Sequence, residues 1–297
     1  MSSLRFLVVV LVAFPVWAED PGTSSEEAAA TYTLKYQFPE GASLHYLLHE
    51  KSRLLQQFEG GEQKSENDSS LEKHYRVVET RKDGSAELEV VTDHVKLKYS
   101  FADAEPVEYD SSSDAEPPEP LKSLRNKLGK PIARAEFSAS GRLLALTEFS
   151  DGSVAVDPKD LGRKNFLIEL PQDAIAIGGT WKQSYPIELL VAPRLTREFT
   201  ISHLYKLQKV ERGVAEITFS SIISPRLVSP ELRAKLIQDL PSGTILFDVR
   251  AGRIASQVRR VDRTELGVGG PKTAMTVSSL KVEKLIDSDQ SVSQNQP

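Results

Sequence analysis

Along most of this chain apolar and polar residues alternate one for one, and the alternation is laid down twice in the same order of elements. A period of two marks an extended strand with one buried and one wet face. A chain written this way must form antiparallel hairpins and then cover one face of them. In Tyr32, Leu34, Tyr36 and Phe38 the apolar residues are separated by Thr33, Lys35 and Gln37, and Pro39-Glu40-Gly41 turns the chain. Leu44, Tyr46 and Leu48 share one face of the next run, which ends at Gly60-Gly61. A return strand through Leu71, Tyr75 and Val77 leads to Lys82-Asp83-Gly84, a strong hairpin signal. The apolar phase then slips by one between Ala86, Leu88, Val90 and the later Val91, Val95, Leu97, which predicts a bulge near Thr92.

An acidic, proline-containing loop follows over 102–119, and Pro120 opens a short helical run with Leu121, Leu124 and Leu128 on one face. Two more strands, 132–138 and 142–149, meet at Ala139-Ser140-Gly141. The second half repeats this grammar. Strands run through Ile187, Leu189, Phe199, Ile201 and Tyr205, and Arg212-Gly213 turns into Ala215, Ile217 and Phe219. Pro230 opens a helix carrying Leu232, Leu236 and Leu240, and a turn at Ala251-Gly252 separates the closing strands. Tyr75 matches Tyr205 and Gly84 matches Gly213 at offsets of roughly 130; Pro120 matches Pro230 and Gly141-Arg142 matches Gly252-Arg253 at roughly 110. The longer acidic loop of the first half accounts for the difference. The expected fold is mainly β: two related antiparallel curved-sheet units, half-barrel-like, each with one short helix, either separate or joined in one sheet.

The ends read differently. A cationic start at Arg5, an apolar run from Phe6 to Trp17 and a small residue at Ala18 make a secretory signal peptide over 1–18. The run is too short to span a bilayer, so no transmembrane anchor is expected after cleavage. The expected organisation is then a flexible leader over 19–31, a first β unit over 32–149, a linker over 150–165, a second β unit over 166–286 and a polar tail over 287–297. The expected location is periplasmic or extracellular. The chain has no cysteine, so an exported fold must hold by burial alone, and thiol catalysis, thiolate metal sites and redox switching are excluded. A formal net charge of −5 without a basic patch argues against nucleic acid as a partner.

The Gly-Thr-Trp at 179–181, the strands and leucine-rich helix after it, and the segment GTILFDVRAGRIASQ at 243–257 resemble a bacterial family of exported proteins of unknown function. Members of that family often carry a similar G-x-x-FD-x-x-x-GR strand pair near the C-terminus, and the likeness covers about residues 32 to 286. More remotely, a curved sheet plugged by a short helix is similar in topology to periplasmic lipoprotein carriers. Neither resemblance supplies a catalytic residue.

Motifs that would carry chemistry fail on spacing. His45 and His49 would pair on a helix, but on a strand they stand roughly 13 Å apart, and His74, His94 and His203 read as isolated. There is no G-x-S-x-G elbow. The acidic residues Glu105, Glu108, Asp110, Asp114, Glu116 and Glu119 lack the ligand spacing of a calcium loop and read as a solvated surface. No catalytic, metal or cofactor residue is therefore expected. What remains is a groove where each short helix meets its sheet, lined by Leu121, Leu124 and Leu128 in one unit and by Leu232, Leu236 and Leu240 in the other. Trp181 and Tyr185 are further candidates for its wall, or for plain core. The expected function is a non-enzymatic exported binding or scaffold protein holding an apolar ligand or a protein partner. A structural module of a cell-envelope assembly is the alternative, and a hydrolase without a recognisable motif comes third.

Overall fold

The structure is a computed structural model that describes residues 30–113, 115–149, 153–155 and 167–287. The expected signal peptide, most of the expected leader and linker, Asp114 and the tail beyond Asp287 lie outside the described residues. The first half supplies β1 (Thr31–Tyr32), β2 (Ser43–Phe58), β3 (Gly61–Thr80), β4 (Ala86–Phe101), β5 (Val107–Asp110), α1 (Lys122–Arg125), β6 (Pro131–Phe137), β7 (Leu143–Phe149) and β8 (Ser153–Ala155). The second half supplies β9 (Ile175–Ala176), β10 (Thr180–Ala192), β11 (Leu195–Glu211), β12 (Val214–Ser224), α2 (Pro230–Lys235), β13 (Ser242–Asp248), β14 (Arg253–Leu266) and β15 (Ala274–Ile286).

Each half is an up-and-down antiparallel meander with its helix between the third and fourth long strands. Tyr75 and Tyr205 lie on the equivalent strands β3 and β11. The two meanders are not separate half-barrels. They join along β15 and β2, which pair from Ala274↔Gln57 to Ile286↔His45, and the whole is one open, curved 13-stranded sheet in the order β10-β11-β12-β13-β14-β15-β2-β3-β4-β6-β7-β8, with β5 on β4. The hairpin turns are those the sequence announces. Arg212 and Gly213 both have positive φ, at 52° and 82°, the pattern of a two-residue turn that matches strand twist. The bulge expected near Thr92 is present, with Lys73 opposite Thr92, Glu72 opposite His94 and Asp93 as the extra residue.

The alternation of Tyr32 to Phe38 misleads in one respect. Only Thr31 and Tyr32 join a ladder, pairing with β9. Residues 33–38 lie outside the sheet as an extended strap, with Leu34, Tyr36 and Phe38 buried. A period of two reports an extended chain with one buried face, and it says nothing about pairing. The strap fastens both halves: Tyr36 N–H donates to Ala139 O at 3.0 Å and Gln37 N–H to Gly252 O at 2.9 Å. Around it the main core draws Tyr75, Val77, Leu88 and Phe137 from the first half and Leu207, Ile217, Ile245 and Phe247 from the second. Burying each such leucine or phenylalanine stabilises the fold by roughly 1.5 to 3 kcal/mol.

The helices are shorter than their leucine spacing implies. Ser229 caps α2, its Oγ accepting from Leu232 N–H, and Pro230 occupies the first turn, where no N–H is needed. A 3-10 turn over Ile237–Asp239 completes the segment. In the first half a 3-10 turn over Glu119–Leu121 leads into the four-residue α1.

Candidate functional site

Residues opposed on adjacent antiparallel strands share a face, so the ladders fix what lies inside the sheet. The inner face holds the main core at one end. At the other, α2 covers two smaller apolar clusters, one on β10–β11 and one built of Ile237, Val261 and Val277. Between these apolar regions the inner face turns polar. Lys73 Nζ lies 2.7 Å from Glu283 Oε1 and donates to Tyr75 OH at 3.0 Å. Gln257 donates to the second oxygen of Glu283, and Arg259 Nη2 donates to Gln257 Oε1 at 3.4 Å. Glu283 and Gln257 are buried. Arg259 Nε is also buried and finds no hydrogen-bond partner among the described residues.

A cavity of about 280 Å³ opens beside this chain of side chains. Arg259, Lys281, His203, Ser52, Ser279 and Glu50 line it from the sheet, and Gln238 and Asp239 line it from the turn after α2. Lys281 is paired with Glu50 at 3.0 Å. Burial first, and then the positive charge of Arg259, press His203 down to a pKa of about 4, so its ring is neutral at pH 7. His203 Nδ1 lies 2.7 Å from Ser221 Oγ, a spacing that suggests a nucleophile and its base. The direction of the bonds excludes that role. Ser221 Oγ donates its one proton to Pro241 O at 2.5 Å, so the imidazole is the donor to Ser221, and the pair ties β11 and β12 to the turn after α2.

The groove residues expected from sequence are brought together only in part. Tyr185, Leu236 and Leu240 are buried in one cluster with Ile187, Phe199, Ile201 and Leu227, and Leu232 packs on it. Trp181 belongs to the main core instead, stacked on Tyr205 at 5.3 Å with its indole N–H donating to Glu169 O at 2.8 Å. Leu121, Leu124 and Leu128 are half-buried and join none of the three clusters. Sequence reasoning missed Lys73, His203, Gln257, Arg259 and Glu283. The available signal was polar and charged residues at inward registers: Gln257 and Glu283 stand opposite Ile245 and Leu48 on the same face of the neighbouring strands, and Arg259 follows two residues after Gln257.

The histidines require a correction. His74 is not isolated, because strand pairing places it directly opposite His45. The two rings stack at 4.9 Å, and His74 Nδ1 meets Asp93 Oδ2 at 2.7 Å. Since Tyr46 and Tyr75 point inward, their neighbours His45 and His74 point outward. His94 likewise has a partner, Asp110, at 2.9 Å. Burial and then the neighbouring His74 hold His45 below its ordinary pKa.

No family model and no curated protein matches the chain. Among solved structures it is similar to lipovitellin, described for its lipid–protein interactions, at 13% identity and a TM-score of 0.42 over 84% of this chain and 26% of that one. It thus spans about a quarter of the lipovitellin chain. It is also similar to DynF of the dynemicin biosynthesis pathway of Micromonospora chersina, at 9% identity and a TM-score of 0.22 over 89% of both chains. The Salmonella type III secretion secretin InvG follows at 12% identity and a TM-score of 0.18, over 85% of this chain and 65% of that one. At scores this low none of these likenesses fixes a fold or a function.

Proposed function

We propose that this chain is an exported, non-enzymatic binding protein whose ligand seat is the polar cavity on the inner face of the sheet. The observation that carries this reading is Arg259. Lys73 and Lys281 are each paired with a carboxylate, whereas the Arg259 guanidinium is drawn inside with Nε unsatisfied beside an open volume. A buried donor left without a partner costs about 1 to 3 kcal/mol, and more for a charged group. A chain selected only to fold would fill that register with an apolar residue at no loss. An acceptor-bearing ligand that meets the guanidinium from the cavity offsets part of that cost. The lining, in which Glu50 and Asp239 stand with Arg259 and Lys281, suits a small polar ligand that offers an acceptor to Arg259, in place of the apolar ligand anticipated from the leucine-rich helices. The neutral His203 and the spent proton of Ser221 support binding over hydrolysis.

Native mass spectrometry of the chain purified from its own host tests the proposal, with the Arg259→Gln variant alongside. The expected result is a small-molecule adduct on the wild-type protein that the variant loses. Wild-type protein without an adduct, or an adduct that survives the substitution, would sink it. A second reading, a structural module of an envelope assembly, draws support from β10. Among the described residues this strand is one edge of the sheet, and Leu190 on it and Leu195 at the start of β11 are exposed at 55% and 48%. The same spectra would then report stable oligomers and no adduct.

A further inference from the structure

We infer that His45, His74 and Asp93 form a binding site for a divalent transition-metal ion of the zinc type on the outer face of the sheet. The site is built by register. His45 on β2 and His74 on β3 are directly opposed, with ring centroids 4.9 Å apart and planes 29° from parallel. Asp93 reaches the same place through the bulge in β4, where it is the additional residue between Thr92 and His94. Bulges re-aim a side chain in this way, and here the carboxylate is turned onto His74 Nδ1 at 2.7 Å. One donor atom from each of the three residues lies within 4.8 Å of the others, and all three residues are half-buried. A tetrahedral zinc ion holds nitrogen and oxygen donors at about 2.0 to 2.2 Å, hence roughly 3.4 Å from one another, so the His74–Asp93 pair would open from 2.7 Å while the wider spacings, all within 4.8 Å, would close.

An ordinary His–Asp ion pair explains Asp93 and His74, and the ladder register brings His45 beside them, so three ligand-type donors are gathered within 4.8 Å. Two imidazole nitrogens and one carboxylate oxygen select zinc, copper, nickel or cobalt over magnesium and calcium, which take oxygen ligands. Three protein donors leave the fourth position open to water, or to Glu72, two residues along the same face of β3. All three ligands sit on paired strands, so little conformational freedom is lost on binding, and the ion would clamp β2, β3 and β4 together. The site lies on the face opposite the polar cavity and stands independently of it.

The test uses the untagged full-length chain, stripped with chelator and dialysed, then titrated with zinc chloride by calorimetry and with cobalt chloride by visible absorption. Wild-type protein is expected to bind one ion per chain, with cobalt bands typical of a site of low coordination number. His74→Ala and Asp93→Asn are each expected to weaken binding about tenfold or more. His49→Ala, on the same strand and face but outside the triplet, should leave it unchanged. Should the alanine variant fail to fold, Asp93→Asn and the wild-type cobalt spectrum decide the question. The inference is overturned if the wild-type chain shows no saturable binding near one equivalent, or if folded His74→Ala and Asp93→Asn titrate as it does.

Discussion

Gly141 and Gly252 occupy equivalent turns of the two halves, and both press against consecutive residues of the same strap. Their φ angles are +86° and +59°, in the region that favours glycine. A Cβ on Gly252 would stand 2.6 Å from the backbone nitrogen of Gln37, and one on Gly141 would stand 2.6 Å from Ile168 O and run into the Tyr36 ring. Gly213 has a φ of +82° with nothing within 4 Å. Gly213→Ala should therefore cost only the backbone strain, about 1 to 2 kcal/mol. Gly252→Ala should cost roughly 2 to 5 kcal/mol, since Gln37 must also move. Urea unfolding of the two variants checks this, and equal losses would mean that the strap is not seated on the turn. The sequence announces these glycines as turns, because φ > 0 has a local signature. The strap they touch lies more than a hundred residues away and has none. The His45–His74 pair was hidden for a related reason: its spacing to His49 along the chain catches the eye, while the true neighbour lies across a strand and is visible only once register is known.

Among the elements, strands were far more legible than helices. Alternation and turn residues announce β2, β3, β4, β11 and β12, and even the slip at Thr92. The leucine triplets at helical spacing look alike in the two halves, yet they do different work. Leu236 and Leu240 are buried beneath α2 in an apolar cluster, whereas Leu124 and Leu128 sit half-exposed outside any core. The difference arises because a helix is buried only if a facing sheet presents an apolar patch. Tyr185, Ile187, Phe199 and Ile201 form one in the second half. The corresponding outer stretches of β2 and β3 carry Glu50, Ser52, Asn67 and Ser69 on their inner face. Leu236→Ala should accordingly lose about 2 to 5 kcal/mol, and Leu124→Ala about 1 kcal/mol or less. Thermal or urea melts of the pair are the measurement, and a larger loss at Leu124 would reverse the assignment of which helix is core.

At the scale of the whole molecule, the tandem repeat invites the expectation of two domains that melt apart. Three features of the structure oppose it. β15 and β2 share a ladder of thirteen residue pairs across the junction of the halves, longer than the β11–β12 and β14–β15 pairings of the second half. The main core mixes side chains from both halves in one cluster. The strap puts Leu34 at 0% exposure inside that cluster, with backbone bonds to a turn of each half. Neither half can lose its structure without exposing apolar surface of the other, so local opening of one is coupled to the other. Urea unfolding should therefore be a single transition. Far-ultraviolet circular dichroism, which sees the entire sheet, should coincide with the fluorescence of Trp181, which is stacked on Tyr205 of the second half. Leu34→Ala should move both curves to lower urea by the same amount, because one strap serves both halves. Circular dichroism that unfolds in two steps, with Trp181 following only one of them, would make the halves independent units despite their shared ladder.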